Sequence, residues 1–291
     1  MKKSKELEIV KKLTNVADEN NIVLNEDGWT SRVYIVNKGE IVLKFLKNKQ
    51  YREEFEHEIN ILKLIKDHKF NVNIPLISSS EEDNTYIVLN GLMGKSMSAE
   101  IVDALTKEEK RKIGTQIGLF LKKLHTVAYQ GKSPNNESEI FEWFQKSFNR
   151  RKRTLKKHFN ENELVAIEDL VTTLPQRSQK LGIVQVFCHG DLGYNNILLT
   201  DSLEVGVIDF GDAGYNDQSY DFVGLEDDDM LDAVILAYDG DEILKAKVEI
   251  RRQLLPLMEM LFLIDKKDKE GVQQCVKRVR INLKMHEIYN G

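Results

Sequence analysis

Cysteine is scarce: Cys188 and Cys275 are the two in 291 residues, far apart and without the close spacing of metal ligands. A chain of this length buries a full core without a disulfide framework or a metal staple, so both thiols are expected as small apolar side chains in a reducing cytoplasm. Long apolar runs are also missing. The most hydrophobic stretch, Leu254 to Ile264, is shorter than a membrane span and carries Glu259. The N-terminal Met1-Lys2-Lys3-Ser4-Lys5-Glu6 is charged and leads into no continuous apolar segment. A soluble, intracellular protein is expected, with no membrane partner. There is no basic surplus either, because a net charge of -5 gives no global attraction to nucleic acid. The one basic cluster, Arg150-Arg151-Lys152-Arg153 with Lys156 and Lys157, reads as a solvated helix face. Internal repeats and low-complexity linkers are absent, and nothing in the chain specifies an oligomeric state.

What is present divides at about residue 91. Residues 1–91 read as a small lobe: a helix near the start, a weak strand at 21–25, a better one from Arg32 to Val36, and a third from Ile41 to Leu46. Asn37-Lys38-Gly39-Glu40 supplies the turn between the last two. From Tyr51 to Asp67, Phe55, Ile59 and Leu62 recur at helical intervals and predict a helix packed on that sheet. After Pro75 come Ile77 and a polar loop, then an apolar strand from Thr85 to Leu89. Residues 92–291 turn helical. Thr106 and Glu109 form a capping box ahead of the stripe Ile113, Ile117, Phe120 and Leu124. Further helices are expected over 135–180, and a last helical group from Lys245 to Glu287, interrupted near Pro256.

The chemistry concentrates after two short apolar runs. His189-Gly190-Asp191 follows Ile183 to Cys188, with Asn196 five residues beyond Asp191. Asp209-Phe210-Gly211 follows Val205 to Ile208. Loops at strand ends are where rigid scaffolds present functional groups. The combined pattern HxDxxxxN and DFG resembles the phosphate-transfer centre of kinase-like enzymes. With glycine at 190, where protein kinases carry arginine, it is similar to the aminoglycoside phosphotransferase and choline kinase superfamily.

That resemblance covers nearly the whole chain, from the segment around Gly28 to the acidic run. The fold would be α+β, a bilobal protein-kinase-like fold: an N-terminal nucleotide-binding lobe (1–91) with an antiparallel sheet and one helix, and a mainly helical C-terminal catalytic and substrate-binding lobe (92–291). Asp191 would align the attacking hydroxyl or act as base, while Asn196 and Asp209 would hold magnesium against the phosphates of ATP or GTP. Lys44, a charge inside an apolar strand, would reach the α and β phosphates, oriented by Glu58 on the following helix, with Glu54 one turn earlier as competitor. Asp27-Gly28-Trp29-Thr30-Ser31 stands where kinases carry a glycine-rich flap, and Gly28 and Ser31 would face phosphate. Asn90, Gly91 and Leu92 would form the hinge that reads the nucleobase.

Beyond the metal motif lie Asp212, Asp217 and Asp221, then Glu226 to Asp229. The acidic run reads equally as a charged helix start. As a group, Asp212 first and Glu226 or Asp227 next would bind the ammonium groups of a cationic acceptor such as an aminoglycoside. Asp217 and Asp221 resemble an element that braces the catalytic loop, although Gln218 stands where proline is common. His189 is expected to be structural. Phe141, Phe144 and Phe148 share a helical face and read as core rather than as a cation cage. The rival readings are a protein kinase, disfavoured by Gly190 and by the lack of a closing Ala-Pro-Glu; a choline, ethanolamine, homoserine or other metabolite kinase; and a catalytically silent nucleotide-binding module, which would need one of Lys44, Asp191, Asn196 or Asp209 to be lost.

Overall fold

Short apolar runs build the strands, and segments whose apolar residues recur at 3.6-residue intervals build the helices. The computed structural model describes residues 2–26, 28, 30–81, 84–131 and 137–290. In chain order these form α1 (Lys3–Thr14), β1 (Ile22–Asn25), β2 (Ser31–Val36), β3 (Ile41–Leu46), α2 (Arg52–Ile65), β4 (Leu76–Ser80), β5 (Tyr86–Asn90), β6 (Lys95–Ser96), α3 (Ala99–Ala104) and α4 (Lys107–Leu124). There follow α5 (Glu137–Leu155), α6 (Glu161–Lys180), β7 (Gln185–Cys188), β8 (Ile197–Leu199), β9 (Val205–Val207), β10 (Gly214–Asp217), α7 (Asp228–Tyr238), α8 (Glu242–Lys266) and α9 (Lys269–Asn290). The chain packs as two compact units, Met1–Gly131 with Phe187–Gly214 and Gly224–Asp239, and Lys132–Val186 with Tyr215–Val223 and Gly240–Gly291.

In the first unit an antiparallel five-stranded sheet runs β1-β2-β3-β5-β4. Tyr34, Val36, Leu43 and Phe45 bury one face against Val10 of α1. Lys44, between Leu43 and Phe45, must point to the other face. There α2 buries Phe55, Ile59, Leu62 and Ile65, as its spacing predicts. Ser78 to Ser80, expected in a loop, instead extend the edge strand β4, because main-chain pairing with β5 does not require apolar side chains. α1 is fastened by a buried carboxylate: Glu6 accepts from Arg32 Nε at 2.8 Å and from the Tyr34 hydroxyl at 3.2 Å. Burial and that neighbouring charge push the Tyr34 phenol up to about 12. At the end of β5 the Gly91 N–H donates to Glu40 at 2.9 Å. A Cβ on Gly91 would lie 1.9 Å from the Gly39 carbonyl oxygen, so only glycine lets the chain leave the sheet here.

The helix after the sheet forms as the sequence predicts. Thr106 Oγ1 accepts from the Glu109 N–H at 3.3 Å and Glu109 returns the contact to the Thr106 N–H at 2.8 Å. Ile113, Ile117, Phe120 and Leu124 are buried along one stripe, and α4 packs against α7.

The second unit is built on α5, α6, α8 and α9 around Phe144, Phe148, Leu170, Leu254, Met260 and Val276. Phe141, Phe144 and Phe148 are core, and Cys275 is buried as expected. Two expectations fail here. The break foreseen near Pro256 does not occur: α8 runs through Pro256 to Lys266 and stops at Lys267, whose φ of 60° is left-handed. Proline removes the N–H that would bond the carbonyl of Arg252. The Asn282 amide of α9 stands in, 3.4 Å from the Arg252 oxygen and 3.1 Å from that of Gln253. The basic cluster is likewise not one solvated face. Arg150, Arg153, Lys156 and Lys157 are exposed, but Arg151 is buried, with its Nε donating to Asp265 at 2.9 Å and its Nη1 to the Ser147 carbonyl at 3.1 Å. Among the described residues no helix is long and apolar enough to cross a membrane.

Candidate active site

The functional groups named from the sequence come from three places in the first unit. Lys44 sits in a buried run of β3, and its Nζ lies 2.6 and 2.7 Å from the two oxygens of Glu58 on α2. The same ammonium is 3.2 Å from Asp209 Oδ1. Glu54, the alternative partner, is exposed. Burial disfavours the Lys44 charge, yet the carboxylates of Glu58 and Asp209 outweigh it and hold the group above its ordinary value. Lys44 charge in turn pulls the Asp209 carboxyl below its ordinary value against partial burial.

Asn196 and Asp209 meet because of a short hairpin. β8 and β9 pair antiparallel with Ile197 opposite Val207, so the residue before β8 and the residues after β9 emerge at the same end. The Ile208 N–H closes that end by donating to the Asn196 carbonyl at 3.0 Å. Asp209 then adopts a φ of 66°, a left-handed conformation that few non-glycine residues take and that surrounding contacts must hold.

The loop after β7 is organised from beneath by His189, which is fully buried, as its structural reading requires. Its Nε2–H donates to the Ile208 carbonyl at 3.0 Å, its Nδ1 faces the Asp191 N–H at 3.3 Å, and its ring lies 4.7 Å from that of Phe210. Asn196 donates from its amide nitrogen to both the carbonyl and Oδ2 of Asp191, each at 2.8 Å. Gly190 has a φ of 87°, and a Cβ there would lie 2.2 Å from the Asp212 carbonyl oxygen. The residue type that set this chain apart from protein kinases is therefore required by the close approach of Asp212.

Three carboxylates, Asp191, Asp209 and Asp212, are thus brought together and exposed. Partial desolvation by the groups packed around it, reinforced by the like charges of Asp212 and Asp209, pushes the Asp191 carboxyl up although the residue keeps access to solvent. Burial and Asp209 do the same to Asp212. Such a concentration of negative charge with one lysine suits a site that receives cations.

Gly28 is exposed, and its carbonyl and that of Glu26 accept from the Lys47 ammonium, a clamp the sequence reading missed. Asp27 and Trp29 lie outside the described residues. Ser31 is buried at the start of β2, opposite Leu46. Asn90 is exposed at the end of β5, and Leu92 follows the turn at Gly91. Glu226 is exposed. Asp227 is engaged elsewhere: one oxygen caps α7 through the Met230 N–H at 2.8 Å, and the other pairs with Lys110 at 2.6 Å. The helix-start reading of the acidic run accounts for Asp227 to Asp229. Asp217 lies in the second unit, paired there with Lys247 and Ser219.

The fold has counterparts among known proteins. The chain is similar to the GDP complex of wild-type aminoglycoside 2'-phosphotransferase-IIIa, at 18% identity over 98% of this chain and 100% of that one, with a TM-score of 0.80. It is similar to the apoenzyme of macrolide 2'-phosphotransferase MphH from Brachybacterium faecium, at 16% identity over 94% and 97% of the two chains, with a TM-score of 0.68. A choline/ethanolamine kinase family protein from Mesorhizobium loti matches at 14% identity over 96% and 94%, with a TM-score of 0.65. At these identities the likeness is one of fold, and it agrees with the expected kinase-like α+β architecture. The model of the phosphotransferase enzyme family matches residues 21–246, most of the chain, and on that match the protein belongs to the phosphotransferase enzyme family.

Proposed function

We propose that the protein transfers the γ-phosphoryl group of ATP or GTP to a hydroxyl of a small cationic molecule, an aminoglycoside by preference, in the cytoplasm and in the manner of a resistance enzyme. The observation that carries this reading is the convergence of Lys44, Glu58 and Asp209 beside a loop in which Asn196 aligns Asp191. The division of labour runs at residue 91, with 1–91 holding the nucleotide and 92–291 supplying catalysis and acceptor binding, a division by chemistry that cuts through the first compact unit.

Lys44, locked by two oxygens of Glu58, is a point charge aimed at the nucleotide phosphates, while Gly28 and Ser31 cover them and Asn90 and Leu92 meet the base. The donor set fits magnesium. Asn196 spends its amide nitrogen on Asp191, so Oδ1 is the atom it can offer a cation, and Asp209 has a carboxylate oxygen besides the one facing Lys44. One neutral and one anionic oxygen suit a hard ion that keeps water and phosphate oxygens in its shell. Bound there, magnesium would supply neutralisation of the charge that develops on the phosphoryl oxygens. Asp191 orients the acceptor hydroxyl and takes its proton. Asp212, a carboxylate beside it, receives an ammonium of the acceptor, with Glu226 as a further contact. Asp227 keeps its structural pair with Lys110 and contributes only field.

A quaternary amine acceptor such as choline would call for aromatic faces, whereas the groups drawn together with Asp191 are carboxylates. A silent module is disfavoured because the four residues it would lose are all intact. The test is nucleotide turnover with magnesium, ATP and GTP over aminoglycosides, macrolides, choline and hydroxy amino acids, with Asp191→Ala as control. Stimulation by at least one polyamine sugar is expected. Stimulation by choline or a neutral alcohol alone removes the aminoglycoside and leaves the phosphotransfer.

Glu58→Gln gives a second check. Without its charged partner Lys44 turns to Asp209, the carboxylate assigned to magnesium, so kcat/KM should fall by about 10–100-fold with a raised nucleotide KM. Steady-state kinetics with varied nucleotide decide it, and an unchanged KM removes Glu58 from the site.

A further inference from the structure

The residue before Glu58 makes a contact that the phosphate-transfer roles do not use. His57, half-buried on α2, lies with Nε2 2.7 Å from the carbonyl oxygen of Ala213. Since a carbonyl only accepts, the ring donates Nε2–H. Ala213 is fully buried and closes the turn after the metal-binding aspartate, its N–H donating to the Phe210 carbonyl at 3.3 Å. The ring of His57 meets that of Tyr129 edge-on at 6.4 Å, and Tyr129 lies 5.3 Å from buried Phe187, just ahead of the catalytic loop.

We propose that His57 is a positioning residue of the phosphoryl-transfer centre, tying α2 to the Asp209–Ala213 loop so that Glu58 and Asp209 stay on the same lysine. This rests on the reading of that centre given above. Asp209 stands in a left-handed conformation with φ of 66°, which does not hold itself and must be fixed at both ends of its segment. One end is fixed by the Ile208 N–H on Asn196, at 3.0 Å. At the other end Gly190 admits Asp212 by lacking a side chain. The next residue, Ala213, is held by the hydrogen bond from His57 to its carbonyl. Consecutive residues of one helix then grip the loop twice, His57 directly at Ala213 and Glu58 through Lys44 at Asp209. With one grip gone α2 and the loop can slide, and the lysine and the metal carboxylate lose register.

The experiment compares His57→Ala and His57→Gln in the full chain, since a glutamine amide can donate to the same carbonyl. Hydrogen–deuterium exchange of residues 209–214 should accelerate in the alanine variant and return towards wild type in the glutamine variant. Calorimetry with Mg-ATP and Mg-GTP and steady-state kinetics should show nucleotide affinity and kcat/KM lowered about 10–100-fold in the alanine variant, with a raised nucleotide KM and partial recovery in glutamine. Exchange at 209–214 that does not change, or equal behaviour of the two variants, overturns the inference. A wild-type protein that neither binds nor turns over nucleotide overturns the functional reading instead, and the exchange comparison still decides the tether.

Discussion

Replacing Asp191 by alanine should lower acceptor-stimulated kcat by about 10²–10⁴-fold while leaving nucleotide affinity nearly unchanged. The separation follows from which groups touch which. The ammonium assigned to the phosphates is held by Glu58 and Asp209, whereas Asp191 is held by Asn196 and, through its N–H, by His189. In the proposed mechanism, removing the Asp191 carboxylate should therefore strip the acceptor hydroxyl of its aligning group and leave the groups proposed to hold the nucleotide standing. The pH dependence carries a sign that can be checked in the same protein. Burial, Asp212 and Asp209 raise the Asp191 carboxyl above its ordinary 3.8, so activity should fall on acidification at a pH above that value. Asp212→Asn removes one of the like charges and should shift the acid limb downwards. A kcat/KM profile for wild type and Asp212→Asn measures the shift, and a limb that moves upwards contradicts the electrostatic account. An Asp191→Ala enzyme within tenfold of wild type contradicts the role.

Asp217→Ala should produce the largest loss of stability. Its carboxylate is fully buried and accepts from Lys247 Nζ, from the Ser219 hydroxyl, and from the N–H groups of Val184 and Ser219, each at 3.1 Å. Arg251 Nη2 stands 3.5 Å away, its guanidinium over the rings of Phe141 and Tyr220. Lys247, also almost fully buried, keeps only the Gly182 carbonyl at 2.6 Å once the carboxylate is gone. Breaking a buried pair by deleting one partner costs about 3–5 kcal/mol, because the remaining charge is stranded. Taking the lower figure, Tm should drop by roughly 6–12 °C for a chain of this size. Burial pushes the Asp217 carboxyl up, but Lys247, Ser219 and Arg251 together hold it below its ordinary value. A depressed carboxyl contributes stability that is complete above its unfolded pKa and is lost as pH falls through the lower folded one. Wild type should therefore lose stability in that acid window, and Asp217→Asn should lose less there. Thermal melts between pH 2 and pH 6 test both statements, and a variant as stable as wild type at neutral pH would show the network to be worth nothing net.

The placement of the proposed site residues was legible in the linear order because each lies within a strand, just beyond a strand end, or on a periodic helix. Lys44 interrupts an apolar run, Glu58 shares a helix with the Phe55, Ile59 and Leu62 stripe, and Asn196 and Asp209 flank the two strands of one hairpin. The failures have a common cause. Pro256 carries the same local signal whether or not another helix covers the carbonyl it orphans, and only the arrival of Asn282 from α9 decides that α8 continues. Arg151 is indistinguishable in sequence from its basic neighbours until Asp265 meets it. Asp227 could equally face a ligand or cap a helix until Lys110 and the Met230 N–H take its oxygens.

By itself, then, the sequence determined on which strands and helices Lys44, Glu58, Asn196 and Asp209 ride, because periodicity and spacing along the chain are local properties. The tertiary structure decided the rest: that glycine at 190 is demanded by the Asp212 backbone, that Lys47 clamps the carbonyls of Glu26 and Gly28, and that His57 reaches Ala213 across 156 positions of chain. A hydrogen bond between distant segments leaves no periodic trace in either of them, since its partner is fixed by how the strands and helices pack and not by what stands beside it in the chain.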